Sequence, residues 1–375
     1  MTENKLNICV YAISKNEAQF VRRFCESAKE ADLILIADTG SDDGTVDLAR
    51  ECGAVVYDIH ISPWRFDLAR NAALALVPRT IDVCVSLDID EVLEPGWREE
   101  IERLWEKGKT TNMWYMFDWG HDIRFPCRKI HSRYGYHWQH PCHEDLRIDA
   151  RTTEVKVWSN KLLISHYPDP TKSRGQYMPL LELAVQEDDR DPHHYFYYAR
   201  ELTFYQRWDE AKKALQKYLD MNAASNQNER SYAMRLMGKS YAETGDLPQA
   251  EKWYYMAAGE APSTREPWCE LAMLMYRQHR WEECFASAMR ALRIKDKPMV
   301  YTCDPAVWGH WPHDLASIAA YHLGLKDIAI EQAKLAVDLA PDDLRLRRNL
   351  RYLTDASKGS EGEESWASET KPLSK

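Results

Sequence analysis

The sequence predicts two architectures in one chain: an α/β domain built on a mostly parallel sheet, then an all-α solenoid of helical repeats. Two observations predict this. Between residues 6 and about 107, short apolar runs alternate with segments of helical period. From about residue 190, small and aromatic residues instead recur in a register of 34 residues, the spacing of stacked helix pairs. The length, 375 residues, exceeds what one ordinary core organises.

The first half reads strand by strand. LNICVYAI (6–13) is a continuous apolar run, as a strand covered on both faces requires. EAQFVRRFCESAKEA (17–31) places Phe20, Phe24 and Ala28 on one helical face. DLILIAD (32–38) is a second strand, and TGSDDGT a turn in which Asp43 and Thr45 start the short helix 45–53, stopped by Gly53. AVVYDI (54–59) is the third strand, FDLARNAALALV (66–77) a helix and DVCVSLD (82–88) the fourth strand. Alternation of this kind gives parallel strands with helices on both faces.

In the second half, Gly238, Tyr241, Ala250, Tyr254, Ala257 and Pro262 stand at the spacings of a tetratricopeptide repeat. Ala272, Cys284 and Ala291 take the same places 34 residues on. An earlier unit puts Ala211 at the tight contact, and a later one uses Ala329, Ala336 and Pro341. RLRRNLRYL reads as a capping helix. The resulting division is an α/β domain over 1–175, a linker over 176–190, repeats over 191–356 and a disordered tail over 357–375, rich in Ser, Glu and Gly.

In open parallel sheets ligands bind at the carboxyl ends of the strands. Polar residues gather there: Lys15 and Asn16 after the first strand, Asp38 after the second, and Asp88, Asp90 and Glu91 after the fourth. Asp88 and Asp90 are separated by one residue, so a turn can aim both carboxylates at one oxygen-seeking cation. No GxGxxG or GxxxxGK follows the first strand, so the phosphates of a nucleotide would need a metal and basic side chains, with Arg70 a candidate.

Four blocks in order, SKNEAQFVRRFCES, ADTGSDDGT, FDLARNAALA and SLDIDEVLEPG, resemble the family 2 glycosyltransferases, which have the Rossmann-like GT-A fold; the repeats resemble the branch that joins this domain to tetratricopeptide repeats. The resemblance implies inverting transfer of a sugar from a nucleotide-sugar, usually a UDP-sugar, with Mn²⁺ or Mg²⁺. Carried over by position, it implies that Ala12 lines the nucleotide pocket, Asp38 meets the base, Arg70 touches the nucleotide, Asp88 lies near ribose and metal, and Asp90 ligates the metal. It also matches His166, in LLISHYP, to the place of a final metal ligand; the other reading of His166 is a strand-end histidine bonded to backbone.

Inverting transfer needs a base for the acceptor proton. YHWQHPCHEDLRID (136–149) offers Glu144 first, with Asp145 and His143 in reserve; the acidic pair usual in the family, with its trailing aromatic, is not present in its common form. A zinc site from Cys127, His131, His140, Cys142 and His143 is a competing reading of the same stretch, and its spacings fit no compact finger.

Lys+Arg is 49 against Asp+Glu 59, a net charge of −10, which gives no general attraction to nucleic acid or anionic membrane. No apolar run approaches the roughly 20 residues of a membrane span. Nine cysteines, an odd number with no CxxC, read as reduced thiols of a cytoplasmic protein. The expectation is therefore a metal-dependent glycosyltransferase. Its acceptor would be a peptide, protein or saccharide, with a modified DNA base the less favoured choice. The repeats would bind the acceptor or pair two copies of the chain. The alternative is a repeat scaffold whose first domain holds a nucleotide without turning it over.

Overall fold

The computed structural model describes residues 5–356 except 121 and 173, so the tail expected over 357–375 lies outside the described residues. By contacts the chain divides into two compact units. The first extends to Ala224 and takes in Met299–Tyr301; the second is built from Ser225–Pro298 and the chain from Thr302 onward. The first unit thus includes helices that the sequence pattern assigns to the linker and the first repeat.

The first unit opens with β1 (Ile8–Ser14), α1 (Ala18–Ser27), β2 (Leu33–Asp38), α2 (Thr45–Glu51), β3 (Val55–Asp58), α3 (Phe66–Leu76) and β4 (Val83–Ser86). These are the predicted strand–helix alternations. β5 (Glu91–Leu93), α4 (Trp97–Leu104), β6 (Asn112–Gly120), β7 (Ile123–Ser132), β8 (Tyr136–Gln139), β9 (Asp145–Ile148) and β10 (Lys156–His166) follow. One eight-stranded sheet has the order β3-β2-β1-β4-β7-β6-β10-β5, and β8 and β9 form a separate hairpin.

The sheet is mixed. β1 pairs in parallel with β2 and β4, as do β2 with β3 and β6 with β10; β7 runs antiparallel to both β4 and β6, and β5 antiparallel to β10. The core below it is built from alternate strand residues, Ile8, Val10 and Ala12 with Ile34 and Ile36, against Val21 and Phe24 of α1 and Trp97 and Ile101 of α4. Asp32 and Asp82, just before β2 and β4, accept the backbone N–H of Ile8 and Asn7 at 2.9 Å each and pin the strand starts.

Helices α5 (Tyr177–Glu187), α6 (Pro192–Phe204) and α7 (Trp208–Leu219) complete the first unit. The expected linker therefore holds α5, whose Leu180, Leu181 and Ala184 are buried. Asp191 starts α6 by accepting the His193 N–H at 2.9 Å, with Pro192 at the first helical position where its missing N–H costs nothing.

The second unit comprises α8 (Gln227–Glu243), α9 (Leu247–Glu260), α10 (Glu266–Arg277), α11 (Trp281–Arg293), the short α12 (Pro305–Trp308), α13 (Trp311–His322), α14 (Lys326–Leu339) and α15 (Leu344–Ala356). Consecutive helices pack as α8 on α9, α10 on α11 and α13 on α14, with α15 against α14. Small residues sit at the contacts: Ala250, Ala257, Ala272, Cys284, Ala291 and Ala329 are fully buried. A Cβ on Gly238 would come within 2.7 Å of the Tyr254 ring, so only glycine lets α8 and α9 approach this closely.

Candidate active site

The carboxyl ends of β1, β2 and β4 carry Ser14, Asp38 and, two residues beyond β4, Asp88. Asp88 is the centre of an ion-pair network. Its Oδ1 accepts from Arg70 Nη2 at 2.5 Å and its Oδ2 faces Lys129 Nζ at 3.3 Å. Arg70 also donates through Nε to Glu144 Oε1. Lys129 donates to Glu91 Oε1 at 2.6 Å, and Glu91 Oε2 accepts the Asp88 backbone N–H at 3.0 Å. The chain is thus Glu144–Arg70–Asp88–Lys129–Glu91, two cations among three carboxylates.

Each member is delivered by a different element. Arg70 lies on the buried face of α3, and its guanidinium sits 5.0 Å from the Trp138 ring. Asn71 beside it exchanges two hydrogen bonds of 2.8 Å with the Trp138 backbone, and the Phe66 N–H donates to the Pro141 carbonyl at 2.9 Å. These tie α3 to the β8–β9 turn and hold Glu144 near Arg70. The β4–β7 ladder pairs Val85 with Ile130, so Lys129 lies one residue past it, level with the end of β4.

Burial pushes the Asp88 carboxyl up, but the Arg70 and Lys129 charges outweigh it and hold the group well below the usual carboxylate range. Burial pushes Glu91 up, against the pull of Lys129. Arg70 and Lys129 lose solvation on burial, yet their carboxylate partners hold both firmly protonated.

Asp90 stands apart from this network. Its Oδ2 is 3.3 Å from His166 Nε2, because Glu91 pairs with His166 across the β5–β10 ladder and the Tyr167 N–H donates to the Asp90 carbonyl at 2.9 Å. Among the described residues His166 Nδ1 is buried without a hydrogen-bond partner, and the exposed Trp119 ring lies 4.4 Å from the imidazole. The backbone-bonded reading of the His166 ring does not hold. A carboxylate oxygen and a ring nitrogen 3.3 Å apart match adjacent ligands of one divalent ion with bonds of about 2.1 Å. Asp90 and His166 therefore fit the metal that the resemblance implies. Asp88 does not fit beside them in this arrangement, since Arg70 and Lys129 occupy its carboxylate.

Three further expectations change. Asp38 is buried, and its two oxygens accept from Ser14 Oγ (2.7 Å), Gly40 N (2.9 Å), Ser41 N (2.7 Å) and Ser41 Oγ (2.5 Å). Burial raises its carboxyl and these donors lower it further, so Asp38 fixes the β2–α2 turn and has no lone pair left for a nucleobase. Ala12 is buried, and its methyl packs in the hydrophobic core. Asp145 is held by Arg128 at 2.9 Å and Arg147 at 3.3 Å, away from Arg70.

His143 stacks between Tyr177 (5.5 Å) and Tyr197 (4.1 Å), and burial keeps its imidazole neutral, far below the usual range. Of the three base candidates only Glu144 joins the network. The competing cysteine–histidine set does not assemble either: His131 is engaged by Tyr11 at 2.9 Å and His143 by the tyrosines.

Sequence reasoning misses Lys129, the bonded role of Glu91, and a pair at the same edge. Lys172 donates to Glu17 Oε1, while Glu17 Oε2 is buried without a partner among the described residues. Burial raises the Glu17 carboxyl against the pull of Lys172, with the Asp90 and Asp88 charges adding to the rise. Nothing local marks these residues; they meet through the sheet order.

Residues 9–163 match the family model described as Glycosyl transferase family 2. This segment is a family 2 glycosyltransferase domain. Solved structures similar to the helical part of the chain include YrrB, a TPR protein with an unusual peptide-binding site, at 13% identity and TM-score 0.38 over 48% of this chain and 85% of that one. MamA is similar at 16% identity and TM-score 0.36, over 44% and 82%. A thermophilic TPR protein of Thermus thermophilus is similar at 18% identity and TM-score 0.33, over 47% and 88%. The glycosyltransferase domain is thus followed by an all-helical region with TPR-like neighbours. Among the described residues no helix is long and apolar enough to cross a membrane.

Proposed function

We propose that the glycosyltransferase domain performs inverting, metal-dependent transfer of a sugar from a nucleotide-sugar, with a UDP-sugar the first donor to test. The observation that carries this reading is the Glu144–Arg70–Asp88 relay beside the Asp90–His166 pair. One arginine holds Glu144 and Asp88 together, and two positions after Asp88 the chain reaches Asp90 and its two-ligand cation site with His166. Arg70 holds Glu144 through Oε1, which leaves Oε2 to take the proton of an acceptor hydroxyl. As that oxygen bonds to the anomeric carbon, the glycosyl–phosphate bond breaks and its electron pair leaves with the nucleoside diphosphate.

Asp90 and His166 would hold Mn²⁺ or Mg²⁺, which when bound neutralises charge on the leaving diphosphate. Trp119 offers an exposed ring face at this edge, suited to a sugar. The repeats suit a peptide or protein acceptor, because helical-repeat grooves present extended concave surfaces. Saccharide acceptors come next, and a modified DNA base last, given the net charge of −10.

One observation favours the scaffold alternative: Asp38 and Asp88 are already engaged by protein groups. A panel of nucleotide-sugars with and without Mn²⁺, read by thermal shift and by hydrolysis or transfer, separates the two. The transferase reading expects one donor to stabilise the chain and turn over only with metal. Asp90→Ala should abolish the metal-dependent turnover, and Glu144→Gln should lower kcat by about 10²–10⁴-fold with donor binding kept. Turnover with no donor in the panel, in wild type as in Asp90→Ala, would favour the scaffold.

A further inference from the structure

We propose that His140, Asp191 and His194 hold a divalent transition metal of the zinc type, at a second site separate from Asp90 and His166. The set comes from two segments of the first unit. His140 ends the β8 side of the hairpin turn, while Asp191 and His194 lie one helical turn apart at the start of α6.

Their ligand atoms converge. His140 Nδ1 is 2.7 Å from His194 Nε2 and 3.9 Å from Asp191 Oδ2, and all three lie within 4.8 Å of one another. Two imidazoles and one carboxylate are a zinc donor set, with a fourth position left for water. A tetrahedral ion with bonds of about 2.0 Å sets its ligand atoms about 3.3 Å apart, so the two nitrogens part slightly and the carboxylate closes by a similar amount. Both histidines are buried, at 2% and 5% exposure, while the Asp191 side chain is 20% exposed and leaves an entry path.

The surrounding contacts orient the ligands. His194 Nδ1 lies 3.1 Å from the Asp188 carbonyl, which accepts the Nδ1–H and so turns the Nε2 lone pair to the site. Asp191 Oδ1 accepts the His193 N–H, which leaves Oδ2 facing the histidines. His140 Nε2 faces Arg147 Nη2 at 3.4 Å. Metal on Nδ1 puts a proton on that nitrogen, and Arg147 then turns fully to Asp145, already 3.3 Å from its Nε. His140 has φ +83°, a left-handed backbone that histidine seldom adopts, and the His193 ring stacks on it at 4.3 Å.

The consequence is positional. The turn from His140 to Glu144 is already fastened by Pro141 to Phe66 and by the His143 carbonyl to His193 Nε2 at 2.8 Å. A metal would fasten its first residue to α6 and stiffen the segment that carries Glu144. The proposal stands whether or not sugar transfer does, because its readout is metal content.

The full chain, untagged, is stripped with chelator, reloaded with Zn²⁺, desalted and analysed for metal; a Co²⁺ form is read by visible absorption. About one equivalent of zinc should be retained by the wild type and by Asp90→Ala, with the Co²⁺ bands of a site lacking sulfur ligands. His194→Gln should lose it. Asp191→Asn should weaken it by roughly tenfold or more while keeping the α6 cap, since asparagine caps as well as aspartate. No retained zinc and no Co²⁺ bands in the wild type would overturn the site and leave His140 and His194 as a metal-free hydrogen-bonded pair. Zinc retained at the wild-type level in both Asp191→Asn and His194→Gln, or sulfur-to-cobalt charge transfer, would also overturn it, by placing the ion elsewhere.

Discussion

In the glycosyltransferase domain Arg70 reaches Asp88, 18 positions away, and Glu144, 74 positions away. In the second unit Arg280 meets Glu283 on the next turn of helix, and Arg235 meets Glu270, 35 positions on and about one repeat away. The repeat pairs follow from local period alone. The domain's pairs exist only because the sheet brings distant strand ends together. Removing a partner should therefore cost little in exposed repeat pairs such as Arg280–Glu283, and much at the sheet edge, where little water replaces it.

The sharpest way to break that comparison is Arg70→Met. It leaves Glu144, with a side chain only 10% exposed, beside Asp88 with no guanidinium between them. We expect a loss of about 3 kcal/mol or more in denaturant stability. Arg70→Lys should recover part of it, since one ammonium cannot reach both carboxylates as a fork does. A loss under about 0.5 kcal/mol for Arg70→Met, the scale of an exposed pair, would erase the contrast.

Next in size is an acid limb set by His131. Trp138 Nε1 donates to Tyr11 Oη at 2.9 Å, so the Tyr11 hydroxyl donates to His131 Nε2 at 2.9 Å, and His131 Nδ1 donates to the Ser132 carbonyl at 2.8 Å. The ring is fully bonded as the neutral form, and burial lowers its pKa to about 4 from 6.5. Between those values the unfolded chain binds a proton that the folded chain refuses, so stability falls as pH drops from 6.5 to about 4. At 1.36 kcal/mol per pH unit this window amounts to about 3 kcal/mol. His131→Asn should flatten this part of the stability–pH profile by about that amount, whatever it costs at pH 7. An unchanged slope would mean that the network tolerates the charged ring.

The same contrast decides how much is legible in the sequence. The first four strands and three helices are readable to within a few residues, because each is a local period bounded by turn residues. The repeat register is readable for the same reason, with Ala250, Ala272, Cys284 and Ala291 at helix contacts. The sheet beyond β4 is not, since β6, β7 and β10 mix aromatic and charged residues without clean alternation. With them goes Lys129, whose place at the site comes from an antiparallel register formed 41 positions after Asp88. Asp38 stands where expected along the chain, but its role turns on Ser14 and Ser41, ordinary residues that saturate it. The acidic residues are visible as types; which cation each meets is a property of the fold.

The smallest effect tests the repeat side from within. Gly238→Ala adds a methyl 2.7 Å from the ring of Tyr254, which is itself buried. Alanine gains up to about 1 kcal/mol in helix propensity over glycine, whereas overpacking costs about 1–3 kcal/mol. The net expectation is a loss of about 1 kcal/mol. Tyr254→Leu alone should destabilise by opening space, and in that background Gly238→Ala should turn neutral or stabilising as the added methyl gains room. The double-mutant cycle isolates this term from the propensity gain, which is the same in both backgrounds. Additive effects would mean that α8 and α9 adjust freely, and that glycine here reflects something other than the approach of the two helices.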